Sequence, residues 1–126
     1  MNTMVLIAGV IASLATVGHF TAGHKLYLKP FLASDLDPLP KNVILSVFHY
    51  ISVFQILSSF MLISIGIRGE GCLYDPTLAL SFMGLNYGMF AIVQVVVALS
   101  SSVPGGLFKM FQWIFWAFIS LFIFLG

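Results

Sequence analysis

Charge is what this sequence has least of. Five Lys or Arg and four Asp or Glu make up 7% of its 126 residues, where a soluble domain carries about a quarter. A chain so poor in charge and 60% hydrophobic would expose large adhesive patches in water, so its solvent is lipid. A net charge of +1 without any Lys/Arg cluster excludes a nucleic-acid binder. Cysteine is nearly absent: the single Cys72 excludes an intrachain disulfide and a cysteine-built metal cage, and reads as a loop thiol. No Ser-His-Asp order, paired carboxylates, phosphate loop or metalloprotease helix motif is present, so the chain reads as non-enzymatic.

What the sequence has instead is four apolar spans, from about Thr3 to Ala22, Asn42 to Ile67, Pro76 to Leu99 and Gly106 to Leu125. Each is long enough to cross a hydrocarbon core of about 30 Å. Lys109 is their only Lys, Arg, Asp or Glu. In lipid the backbone must satisfy itself, and uninterrupted runs of this length do so as helices. The expected fold is all-α, a single integral membrane domain over residues 1–126 with four transmembrane helices in an up-down antiparallel bundle. The first span is expected to be retained, because nothing basic precedes it and no small-x-small cleavage site follows.

Lys25, Lys29 and Lys41 fall after the first span and Lys109 at the third connection, with Arg68 alone on the other side. The positive-inside rule then puts loops 23–41 and 100–105 in the cytoplasm and both termini outside, as a multi-pass protein of a bacterial inner membrane. Leu26, Leu28, Phe31 and Leu32 among the lysines suggest that part of the first loop lies on the membrane surface. Asp37 before Pro38 and Pro40, and Asp75 before Pro76, have the form of helix starts. Pro104-Gly105-Gly106 reads as a tight turn.

Between helices in lipid, small and hydrogen-bonding residues mark the packing faces. Gly9, Ala12, Ser13, Thr16, His19 and Gly23 share one arc of the first span, and His49, Ser52, Gln55 and Ser59 one arc of the second, at about 100° per residue. Gly84, Gly88 and Ala91 line a face of the third, with Gln94 at its edge. Gln112, Trp113, Trp116 and Ser120 cluster on the fourth. Gly84, Gly88, Ala91, Trp113 and Trp116 form a candidate packing interface.

His19 and His49 are expected at similar depth on adjacent antiparallel helices. They admit three readings: hydrogen bonding between helices, a ligand site for haem, metal or quinone, or a proton path. His24 is five residues from His19, on a different face of an α-helix, and no carboxylate completes the three or four ligands that zinc requires. No metal or cofactor is therefore assigned. The candidate polar cluster is His19, His49, Ser52, Gln55 and His24.

Gly18 or Gly23 with His24, the His49-Tyr50 pair, Pro104-Gly105-Gly106 and the aromatic last span with Trp113 together resemble the YgdD-like family of small four-helix membrane proteins. Two features depart from that pattern: the first loop is longer and proline-rich, and the aromatic-histidine order of the second span is reversed. The resemblance implies a four-helix integral membrane protein without an established activity. The leading functional expectation is a protein that acts through helix packing, with the bilayer, itself or other membrane subunits as partners, as a homo-oligomer or accessory subunit. Beside it stand a histidine-based haem, metal or quinone binder, and a small channel or transporter lined by Ser52, Gln55, Ser59 and Gln94.

Overall fold

A computed structural model describes residues 1–69 and 75–126. Cys72 and the rest of the segment 70–74 lie outside the described residues. Among the described residues all regular structure is helical. The elements are α1 (Thr3–Gly18), a π-helical stretch His19–Leu28, α2 (Lys29–Leu32), α3 (Pro38–Arg68), α4 (Pro76–Ser100), α5 (Gly106–Lys109) and α6 (Gln112–Leu125). Three continuous helices, Thr3–Leu32, Pro38–Arg68 and Pro76–Ser100, are long and apolar enough to cross a membrane, as a multi-pass membrane protein requires. The fourth apolar helix, Gln112–Leu125, has 14 residues, about 21 Å at 1.5 Å per residue.

Two helix boundaries differ from those the hydropathy gives. The first helix does not end near Ala22 but runs on to Leu32, which shortens the expected loop 23–41 to residues 33–37. Nothing between Gly23 and Lys29 breaks a helix, and Lys25 and Lys29 can extend their charged ends past the apolar surface. Pro30 would clash with the carbonyl four residues back in a regular α-helix, and the wider π turns just before it relieve that clash. The fourth span is broken at Met110 and Phe111, where Met110 leaves helical geometry at φ −104° and ψ 57°. The break frees carbonyls, and aromatic side chains satisfy them. Trp113 Nε1–H donates to the Leu107 carbonyl at 3.0 Å and Tyr27 Oη–H to the Lys109 carbonyl at 3.2 Å, which keeps these freed backbone groups paired.

The remaining ends follow the sequence closely. Asp75 caps α4 by accepting from Thr77 N at 2.8 Å, and Asp37 stands at the start of α3 with Pro38 in the first turn. Gly105 takes a left-handed φ of 68°, which turns the chain into α5.

The helix beginning with α1 packs on α3 and α6, α6 packs on α4, and α3 and α4 touch only sparsely. Packing is closest at the end where Asn2, Gly66 and Gly126 meet. Asn2 donates its N–H to the Gly66 carbonyl at 2.7 Å and its side-chain amide to the Gly126 carbonyl at 2.8 Å. A Cβ on Gly66 would lie 2.7 Å from the Leu6 backbone nitrogen, and one on Gly9 would lie 2.8 Å from that of Ile63, so α1 and α3 touch backbone to backbone. The apolar core sits at this end: Val5, Ala8, Ala12, Leu62, Ile65, Met83, Tyr87, Ile119 and Ile123. Outward positions such as Leu78, Phe82, Leu85 and Leu99 of α4 are exposed, as lipid-facing residues would be.

One buried hydrogen bond bridges the sparse α3/α4 seam, between Ser58 Oγ and Tyr87 Oη. Ser58 also bonds to the Gln55 carbonyl at 3.3 Å, so it stays paired when the tyrosine hydroxyl is removed. Tyr87→Phe should therefore cost only about 1 kcal/mol, read as a small drop in the denaturant midpoint of detergent-solubilised protein.

Candidate functional site: a hollow at the lysine-bearing end

The first helix, which packs closely on α3 along α1, touches it only sparsely along His19–Leu28, toward Lys25, Lys29 and Lys41. His19 stands at the point where the α-helix widens into π turns. Its ring stacks on Phe48, with centroids 3.9 Å apart and planes 17° from parallel. Its Nε2 lies 2.9 Å from Ser52 Oγ. Ser52 Oγ–H donates in turn to the Phe48 carbonyl at 3.0 Å. One turn deeper, Thr16 Oγ1 and Ser59 Oγ are 3.3 Å apart. A short polar ladder thus joins α1 to α3.

His49 is not part of that ladder. It is exposed, as is His24. The hydrogen-bond partner of His19 is Ser52, one turn along α3, and the three histidines do not converge on one ligand position. Among the described residues no group of three or more His, Cys, Asp or Glu is placed to hold a metal ion. Ser52 and Ser59 are tied to α1, so of the four residues expected along a pore only Gln55 and Gln94 line a common space.

The small-residue face of α4 is covered from within the chain. A Cβ on Gly84 would meet the Phe124 ring at 2.8 Å, and one on Gly88 would meet Ser120 Oγ at 3.1 Å. Ser120 Oγ–H also donates to the Gly84 carbonyl at 2.8 Å. Ala91 is buried. Trp113 staples the break before α6, and Trp116 stacks on Tyr87 at 5.6 Å with planes 26° apart.

Two spaces open where the helices diverge. One, of about 410 Å³, lies between the first helix and α6, lined by Leu14, Ala15, Gly18, His19, Ala22, Gly23, Leu26, Tyr27, Phe48, Gln55, Phe111, Gln112, Phe115 and Trp116. The other, of about 530 Å³, fills the α3/α4 seam and is lined by His19, Ile51, Gln55, Met89, Phe90, Val93, Gln94, Gln112 and Trp116. His19, Gln55, Gln112 and Trp116 border both, forming a polar waist between two apolar chambers. No Asp, Glu, Lys or Arg lines either.

The waist holds hydrogen-bonding groups without partners. Gln55 is 2% exposed, yet its Oε1 has no hydrogen-bond partner, and neither has the buried Oε1 of Gln112. A sealed, unpaired carbonyl costs about 1–3 kcal/mol, and here two of them stand beside the two chambers. Gln55 stands out in the sequence as an amide in the middle of an apolar helix. Gln112 shows the same signal, but its facing partner depends on the break before α6, which no glycine or proline marks. Phe48 has no sequence signal at all.

Against family models, curated proteins and solved structures the chain has no match, so the resemblance to the YgdD-like family rests on the residues that carry it.

Proposed function

We propose that this chain is a non-enzymatic membrane protein, built from four membrane-embedded helices, that binds a neutral lipid-soluble molecule at its polar waist. The observation that carries the reading is Gln55, an amide buried to 98% by its 2% exposure, unpaired at its carbonyl and bordering two apolar chambers. Chambers of 300–1,000 Å³ with a few convergent polar groups are the usual form of small-molecule sites. What favours binding over helix packing as the working principle is that Gly84, Gly88 and Ala91 already serve contacts inside the chain. An accessory or oligomeric role would have to use another surface.

The lysine-bearing end, and the hollow with it, faces the cytoplasm in this reading, with Arg68 on the opposite side of a bacterial inner membrane. The two chambers are bordered by exposed apolar residues, Leu14 and Leu26 on one side and Met89 and Val93 on the other. These edges face the bilayer, and entry from the bilayer selects molecules already dissolved in it.

Gly18 lines the first chamber, and a Cβ built on it meets nothing within 4 Å. Gly18→Leu therefore fills the chamber without straining the backbone. Protein purified from its own membranes should retain a neutral lipid at close to one per chain by mass spectrometry, and Gly18→Leu should lose it while keeping the helical circular dichroism of the parent. The same lipid inventory for both proteins would contradict the proposal.

A further inference from the structure

The first chamber lies lengthwise along the first helix, from Leu14 past Gly18 and Gly23 to Tyr27. Its other wall is α6 with the residue before it, from Trp116 to Phe111. Tyr27 is the last residue of the first helix to line it, at the lysine-bearing end. There its hydroxyl donates to the carbonyl of Lys109, two residues before Phe111, at 3.2 Å. The bond thus runs from one wall to the other and crosses that end of the chamber. Tyr27 is 43% exposed, so burial alone does not hold its ring in place.

Around this crossing stand Lys25, Lys29 and Lys109, all exposed. Lysines at a membrane boundary attract anionic headgroups, so anionic phospholipids are the strongest competitors for an apolar chamber at this end. A phospholipid chain descends from its headgroup, and to reach the chamber from the lysines it must pass where Tyr27 meets Lys109. A neutral lipid without a phosphate headgroup lies wholly beneath that crossing and enters at the exposed apolar edge by Leu14. We infer that Tyr27 is a specificity-determining residue: held on Lys109, it bars phospholipid chains from the first chamber and leaves the space to neutral lipids. Such discrimination works by obstructing the wrong partner, with no new contact to the right one. The inference rests on the binding reading, and its test separates the two.

A long-chain alcohol and a phosphatidylglycerol are prepared with the same diazirine-bearing chain, so that they differ in what stands above it. Each is photolysed with the protein in phosphatidylcholine vesicles. Peptide mass spectrometry then compares labelling of Phe115, on the chamber wall, with that of Phe118, exposed on α6. In the parent the ratio of Phe115 to Phe118 labelling should be at least about tenfold higher for the alcohol. In Tyr27→Ala the two lipids should come within about twofold of each other, because phosphatidylglycerol now reaches Phe115. Tyr27→Phe keeps the ring but frees it from Lys109, and it should also narrow the difference, which decides the matter if Tyr27→Ala folds poorly. A difference that neither substitution moves would reduce Tyr27 to a staple of the break before α6 and overturn the inference. Equal labelling of Phe115 by both lipids in the parent would overturn it too, and in either case the binding reading would stand. Failure of the alcohol to label Phe115 in the parent would overturn both.

Discussion

Gln55→Leu is expected to make the protein more stable and at the same time unable to hold its occupant. Leucine keeps the volume and removes a buried carbonyl that has no partner. Relief of that penalty contributes about 1–3 kcal/mol, which for a small domain raises Tm by about 4 °C per kcal/mol. Thermal unfolding of lipid-stripped protein in mild detergent, followed by circular dichroism, checks the first half of the expectation, and lipid analysis of the purified variant the second. A residue that serves only to hold helices together would behave in the opposite way, losing stability on substitution. A lower Tm for Gln55→Leu would therefore assign Gln55 to packing. The opposed signs of the two effects make the experiment decisive, because misfolding lowers both readouts together.

The second large effect separates two glycines of neighbouring helices. Gly66→Ala places a methyl group 2.7 Å from the Leu6 backbone nitrogen and 2.8 Å from its Cα. Backbone atoms cannot rotate away, so α1 and α3 must part, straining the 2.7 Å hydrogen bond from Asn2 to Gly66. The expected loss is about 3 kcal/mol, the upper end for an overpacked contact. Gly18→Ala, with nothing within 4 Å of the new methyl, should be neutral or stabilising by up to about 1 kcal/mol from helix propensity. Unfolding midpoints of the two variants in one detergent give the contrast. Equal midpoints would mean that the close-packed and hollow ends do not differ as described.

Much of this architecture is legible in the sequence because lipid leaves the chain few choices. The length and purity of the apolar spans select helices. Asp75-Pro76 and Pro104-Gly105-Gly106 mark where α4 begins and where the chain turns into α5. Hydropathy misplaces the end of the first helix because it scores the charge of Lys25 and Lys29, whereas helix continuation depends on backbone propensity and on the position of Pro30. The break at Met110 and Phe111 has no signature, since neither residue is a helix breaker and the geometry is held by Trp113 in the first turn of α6 and by Tyr27 from the first helix.

The site was legible to the extent that helical arcs can be counted. The α3 arc of His49, Ser52, Gln55 and Ser59 contains three residues that face inward, Ser52, Gln55 and Ser59. The exposed one is His49, at the edge of the arc beside Phe48, which takes the inward position and stacks on His19. Periodicity gives the face of a helix but not the distance to its neighbour. For the same reason, the meeting of Gln55 and Gln112 at the waist, and the stacking of Phe48 on His19, are properties of the packed helices.

In the proposed function the hollow at the lysine-bearing end is a site completed by a lipid-soluble molecule. A crystal structure of the protein extracted from its own membrane in mild detergent tests it most directly. The predicted result is elongated density against Phe48 and Trp116, with a polar atom within about 3 Å of the Gln55 side-chain amide. The contradicting result is a closed waist, with the amides of Gln55 and Gln112 paired to each other and no space left between α3 and α6.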